Sequence, residues 1–250
     1  MPWCARCGTA LSSHELAQGY EEIEDESVYV KFKLKSGQKI GDDFTTDENT
    51  YILAWTTTPW TLPGNVALAV GKDINYAAVT VEREITQGGP KIISGETYIL
   101  AVDVLPKQHN AFFYRDGKTA EEVQADLLEG NAKKIAEKYS KKVAKGATLI
   151  GLEYEPLYEI QGFKKKENDY TVIVGDFVST EDGAGVVHIA PAFGEDDFQA
   201  SKKNHLSILV TTNERGLMDT HGYPWHELIF KTRDKKDKTA NALIKCAAKR

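Results

Sequence analysis

The chain has 250 residues, 41% of them apolar, enough for one large domain or two small ones with a substantial core. Its 31 basic and 37 acidic residues leave a formal charge of −6, which argues against a non-specific nucleic-acid binder, whose mark is a basic excess. No window approaches the roughly 18 consecutive apolar residues of a membrane-spanning helix and the N-terminus lacks a secretory pattern, so a cytoplasmic protein with no membrane partner is expected, as a monomer.

Residues 1–20 read as a small irregular connecting segment ahead of a domain spanning 21–250. Cys4-Ala-Arg-Cys7 followed by Gly8 has the spacing of half a four-thiolate zinc knuckle, but no second pair follows and only Cys246 remains. It reads either as an incomplete zinc site or as two reduced thiols. From Ser27 the pattern alternates, and Val28, Val30, Phe32 and Leu34 mark a strand. Further strands are expected at Thr50–Thr56, Val66–Val70, Tyr76–Val81, Thr97–Val102, Tyr170–Val174 and Gly185–Ile189, punctuated by Gly, Pro, Asn and Asp.

Helices are fewer. Thr119-Ala-Glu-Glu122 has the form of a capping box and opens a segment with apolar residues at Val123, Leu127, Ile135, Tyr139 and Val143, interrupted near Gly130-Asn131 and ended by Gly146. A second helix is expected to start near Glu195 and a third to run from about Thr239 to Lys249. The basic runs at Lys164-Lys165-Lys166, Lys202-Lys203 and 233–238 read as solvated surface. The fold class is therefore α/β and β-rich, a barrel-like mixed sheet with peripheral helices.

Two stretches are dense in functional groups. In Ala54-Trp-Thr-Thr-Thr-Pro-Trp-Thr-Leu-Pro-Gly-Asn65 an apolar strand runs into the hydroxyls of Thr56, Thr57 and Thr58. In 175–198 a short strand carries His188 on the same face as Val186 and Ala190, and a Pro-Gly loop leads to Glu195, Asp196 and Asp197. Pattern alone leaves His188 open to a bland reading as a core histidine bonded to backbone, and the three acids to simple complementation of a helix dipole. Trp55 is equally open to core packing. No G-x-S-x-G, H-E-x-x-H, phosphate-loop or dinucleotide fingerprint occurs, so an enzyme built on these groups would act by positioning and electrostatics, without a covalent nucleophile.

Taken together, Trp55–Asn65, Gly151-Leu-Glu-Tyr-Glu-Pro-Leu157 and the run 181–197 resemble the editing domain inserted in isoleucyl-tRNA synthetases, and residues 2–11 resemble the segment leading into that insertion. The sister valyl and leucyl enzymes carry T-T-R-P where this chain has Thr58 followed by Pro59. The resemblance implies hydrolysis of valine misattached to isoleucine tRNA, with the tRNA 3′ end and the rest of the synthetase as partners. It makes Asp197 similar to the aspartate that holds the substrate ammonium and His188 to the histidine bordering the side-chain pocket. Thr56, Thr57 and Thr58 would hold the terminal adenosine, the ester and the water, with Asn65 supporting the loop and Trp55 beside it. It further implies zinc through Cys4 and Cys7 in the complete enzyme. ATP is implied only for a catalytic core whose two signature elements are missing here, so the chain is expected to be a fragment that cannot activate an amino acid. Gly64 departs from the alanine or serine more usual in the motif, without expected effect on chemistry. An inactive module that binds the tRNA end and keeps the fold is the alternative.

Overall fold

The computed structural model describes residues 3–4, 7–18, 27–42, 44–80, 95–104, 140–181, 183–224 and 226. In chain order these hold β1 (Trp3–Cys4), β2 (Thr9–Ala10), α1 (Ser13–Ala17), β3 (Val28–Lys33), β4 (Lys39–Ile40), β5 (Phe44–Thr45) and β6 (Thr50–Thr56). They continue with β7 (Ala67–Val70), β8 (Asn75–Thr80), β9 (Thr97–Ala101), β10 (Ser140–Lys145), β11 (Thr171–Val174), β12 (Val186–Ile189) and α2 (Glu195–Asn204).

Two sheets position the functional groups. The larger has the order β10-β8-β9-β6-β3, with β6 and β9 parallel and the other pairs antiparallel. The smaller has the order β11-β7-β12, parallel on one side of β7 and antiparallel on the other. Both sheets are mixed, in a β-rich α/β fold, and no closed ring of strands occurs among the described residues.

The sequence pattern explains the layering. Along β3 the buried Val28, Val30 and Phe32 alternate with half-exposed Tyr29, Lys31 and Lys33, the period of a sheet covered on one side. Every residue of β7 is buried because it sits between two cores. Leu68 and Val70 join the main core with Phe32, Ile52 and Tyr76, while Ala67 and Ala69 point the other way, into a second core with Ile173, Ile189, Ala200 and Leu209. Ala200 lies on α2, so this helix covers the outer face of the smaller sheet. On β12, Val186 belongs to the main core and Ile189 to the second, so His188 shares the inward face with Val186.

The two sheets meet at Gly185. Ala101 N–H donates to the Ala184 carbonyl at 3.0 Å and Tyr76 Oη–H to the Gly185 carbonyl at 2.6 Å. Gly185 has φ of +68°, and a Cβ there would lie 2.3 Å from the Ala101 methyl. Only glycine allows both the backbone conformation and the approach.

The strand expectations agree with the structure to within a residue or two, and α2 starts at Glu195 with its three acids in the first turn. The end of the first helix is a correction. Residues 140–145 form β10, not helix, pairing antiparallel with β8 through Lys142↔Ala78, Val143↔Ala77 and Ala144↔Tyr76. The open edge of β8 supplies backbone partners that outweigh a local helical preference. Gly146 is required for a different reason than ending a helix: a Cβ there would sit 2.1 Å from the Gly71 carbonyl oxygen. The N-terminal segment is also more regular than expected, a β1–β2 hairpin followed by α1. The capping box at Thr119, Gly130-Asn131, Tyr139 and the segment 239–249 lie outside the described residues.

Gly185→Ala is expected to lower stability by about 3 kcal/mol, combining the left-handed backbone penalty of about 1–2 kcal/mol with an overpacking cost of similar size. Chemical denaturation measures it, and a loss below about 0.5 kcal/mol would mean the sheet junction yields to a methyl group.

Candidate functional site

The apolar run Tyr51–Ala54 carries β6 inward, and its last residue, Thr56, is buried. Pro59 then forces the turn: the residue before a proline is kept out of the helical region, and Thr58 has φ −119° and ψ 58°. Pro59 opens a short 3-10 helix, Pro59–Gly64, where its missing N–H is no loss. One turn of this helix returns Thr61 to Thr58. The Thr61 N–H and hydroxyl both donate to the Thr58 carbonyl, at 3.0 and 2.8 Å.

The result is a knot of hydroxyls closed by His188. Thr56 Oγ1 lies 3.1 Å from Thr58 Oγ1 and accepts the Thr58 N–H at 3.0 Å. His188 Nε2 is 3.3 Å from Thr56 Oγ1 and 3.2 Å from Thr61 Oγ1. A carbonyl can only accept, so the single proton of Thr61 is committed to Thr58 and its oxygen must accept from His188. Nε2 therefore carries the imidazole proton, and Nδ1 is a bare, buried nitrogen with no hydrogen-bond partner among the described residues. The Thr56 proton is directed to Thr58 Oγ1. That leaves half-buried Thr58 with a proton whose only partner among the described residues is a long 3.5 Å contact to Thr61. Thr57 is exposed, and its hydroxyl has no partner among the described residues.

Desolvation lowers the His188 pKa to about 4, so the ring is neutral at neutral pH. Its buried partners are hydroxyls, not the backbone groups that a structural histidine would be expected to use. Asp197, in the first turn of α2, accepts the Ala190 N–H at 2.8 Å, which attaches it to the end of β12 two residues beyond His188. Burial raises its pKa, the Ala190 bond opposes that rise, and the charge of Asp196 adds to it. The second carboxylate oxygen has no partner among the described residues.

Asn65 lies inside the protein, 3% exposed, with its amide fully used. Nδ2 donates to the Ala67 carbonyl at 2.8 Å and to the Ile189 carbonyl at 3.4 Å, while Oδ1 accepts from Tyr154 Oη–H at 2.7 Å. It joins the threonine turn, β12 and the Gly151–Leu157 motif, which makes it a tie within the fold. Trp55 alternates with Thr56 along β6 and projects from the opposite face, paired with Tyr29 and packed against Gly183, where a Cβ would come within 3.0 Å of the ring. Gly64 is a packing position: a Cβ there would meet Phe193 Cε2 at 2.7 Å and the Leu209 carbonyl at 3.2 Å. The glycine thus lets the loop before Asp197 close on the threonine turn.

The structure brings together Thr56, Thr58, His188 and, through Ala190, Asp197. Thr61 was not expected from sequence, although a threonine three residues after Thr58 and two after a proline is the signature of a side chain bonding back to the turn. Cys4 and Cys7 stand beside each other at the β1–β2 pairing. Cys7 N–H donates to Cys4 Sγ at 3.2 Å and Gly8 N–H to the Cys4 carbonyl at 2.8 Å. No third ligand group stands with these thiols among the described residues.

In this β-rich α/β domain the threonine hydroxyls, a neutral histidine and a helix-borne carboxylate form one hydrogen-bonded polar cluster, with no nucleophile-base pair assembled among the described residues. The chain is homologous to isoleucyl-tRNA synthetases. It is 40% identical over 236 residues to the isoleucine-tRNA ligase of Clostridium acetobutylicum, which covers 94% of this chain. It is 38% identical over 220 residues to that of Thermus thermophilus and 36% over 226 to that of Thermoplasma volcanium, covering 86% and 90% of it. The chain spans 16–18% of the length of these relatives. No protein-family model matches it. Among solved structures it is similar to the leucyl-tRNA synthetase editing domain of P. knowlesi, at 14% identity and a TM-score of 0.45, over 72% of this chain and 64% of that one. The corresponding P. falciparum domain gives 11% identity and a TM-score of 0.46, over 73% and 67%.

His188 makes stability depend on pH. The unfolded histidine takes up a proton near pH 6.5 and the folded one only near 4, so stability is complete above 6.5 and is lost as pH falls through that window. The loss is expected to approach roughly 3 kcal/mol at pH 4, measured as the difference between wild type and His188→Gln in denaturant titrations. Parallel pH profiles for the two proteins would show that the ring is not buried neutral.

Proposed function

We propose that the chain is an editing domain that hydrolyses valine esterified to the 3′ end of isoleucine tRNA, using a positioned water and no covalent intermediate. The observation that carries this reading is the joining of the threonine turn to His188 and Asp197 in a chain homologous to isoleucyl-tRNA synthetases. A binding pocket separates ligands that differ by one methylene by only about 1–3 kcal/mol, and the isoleucine-valine pair in isoleucyl-tRNA synthetases is the standard instance of that weakness, at about 150-fold. A second, hydrolytic sieve answers it.

In this reading the α-ammonium of the valyl ester binds the uncommitted oxygen of Asp197, while the Ala190 N–H favours the ionised carboxylate and fixes its orientation. The neutral His188 ring forms a wall of the side-chain pocket and excludes isoleucine by size. Because its Nε2–H faces the threonines, it is not poised as a base at that nitrogen. The Thr58 hydroxyl retains a donor and, with exposed Thr57, holds the water and the terminal ribose. The water oxygen forms a bond to the ester carbonyl carbon, the bond from that carbon to the ribose oxygen breaks, and a proton passes to the ribose oxygen. Asn65 and Trp55 contribute by fixing the turn and the loop before β12, not by direct contact.

The reading needs no cofactor for the step itself. Zinc, if held by Cys4 and Cys7 with two ligands from elsewhere, would brace the β1–β2 hairpin of a connecting segment at residues 1–20, with the editing domain after it. The tRNA end and the remainder of a synthetase are the partners the reading calls for.

Deacylation of valyl-tRNA by the chain tests it, and Asp197→Ala is expected to lower the rate about 100-fold, near the upper end of what a charge-assisted bond supplies. Normal turnover by a folded Asp197→Ala protein would remove the ammonium anchor. A wild-type chain that binds the tRNA end without turnover would instead be a binding module that kept only the fold. His188→Ala is expected to extend hydrolysis to isoleucyl-tRNA, and a cognate ester left intact by an active variant would contradict the wall role.

A further inference from the structure

Residues 219–224 and His226 take no part in the threonine-histidine cluster described above. Two turns fold the chain back on itself here: Tyr223 N–H donates to the Thr220 carbonyl at 3.2 Å and His226 N–H to the Tyr223 carbonyl at 3.0 Å. Gly222, at φ +89°, supplies the backbone conformation that the reversal needs. The reversal brings the rings of His221 and His226 to a centroid distance of 4.0 Å, tilted by 45°. Asp219 Oδ1 lies 3.5 Å from His221 Nε2, and one donor atom from each of the three residues falls within 4.8 Å of the other two.

We propose that Asp219, His221 and His226 form a binding site for a divalent cation of borderline softness, zinc being the representative. Two imidazole nitrogens and one carboxylate oxygen are a donor set suited to such ions, and three protein ligands leave a fourth position for water. The spacing supports it. Bonds of about 2.0–2.2 Å in a tetrahedron set donor atoms about 3.4 Å apart, and the Asp219–His221 pair already has that separation, at 3.5 Å. The remaining contacts need to close by no more than about 1.4 Å, the excess of the 4.8 Å bound over that edge. Without an ion the cluster gains little, because an ion pair between two exposed side chains contributes almost nothing.

One contact opposes binding. His226 Nδ1 accepts the Thr220 N–H at 3.2 Å, so an ion taken at Nδ1 replaces that bond, and one taken at Nε2 turns Nδ1 into a donor facing a donor. His226 is therefore the ligand that must reorient, and affinity in the micromolar range is expected in place of the tighter binding of a preformed site. Asp219 and His221 also wall a groove of about 500 Å³ shared with Phe163, Lys164 and Val210, so the ion would be reached directly from solvent.

The test uses the untagged chain with Cys4, Cys7 and Cys246 replaced by serine, so that no thiol competes. Titration with zinc against a chromophoric chelator is expected to show one equivalent bound. His221→Ala and His226→Ala should each weaken it by more than the roughly 10- to 100-fold that loss of a mere supporting group causes. Zinc should also slow amide exchange at Tyr223 and His226, whose N–H groups close the two turns, an effect absent in His221→Ala. Absence of zinc binding by the folded cysteine-free chain, or binding unchanged in both histidine variants, would overturn the proposal.

Discussion

A neutral imidazole buried between two sheets is the constraint on which the rest of the pocket depends. His188 must share an inward strand face with apolar Val186, and burial there is tolerable only because its Nε2–H finds two hydroxyl oxygens. Those oxygens are in reach only if the chain turns sharply after β6. The turn is enforced by Pro59 and locked by Thr61 bonding back to the Thr58 carbonyl. Each of these features would be costly alone, and together they satisfy one another. The Nδ1 without a partner among the described residues is the residual cost.

The same bonds set a direction of hydrogen donation. It runs from His188 to Thr61 and Thr56, and from Thr56 to Thr58, so the free donor emerges at Thr58, near solvent. A row of hydroxyls can look like a set of nucleophiles. Among the described residues the nitrogen in reach of these hydroxyls, His188 Nε2, is itself donating and does not serve as a base. Under the proposed function this cluster holds and orients, with charge supplied from the helix-borne Asp197.

Outside the pocket, glycines govern how closely the pieces approach. Gly185 lets the smaller sheet dock on β9, Gly64 lets Phe193 close over the threonine turn, and Gly146 lets the chain leave β10 beside Gly71. Asn65 completes the assembly by joining three motifs that are far apart in sequence. It contributes through the backbone and a tyrosine, which explains a polar side chain at 3% exposure without any ligand.

Strand positions were legible in the sequence because alternation and turn residues are local signals, as along β3, β6 and β12. The start of α2 was legible from Glu195 onward for the same reason. Pattern and resemblance also brought Thr56, Thr58, His188 and Asp197 into one hypothesis. Only the tertiary structure decided that Ser140–Lys145 is a strand, since its partner β8 lies some sixty residues earlier and leaves no local trace. It alone turned Trp55 away from the hydroxyls, made Asn65 a tie within the fold, and brought in Thr61. Which face a side chain takes, and which proton it has left to give, follow from contacts across the fold. Local sequence carries no record of those contacts.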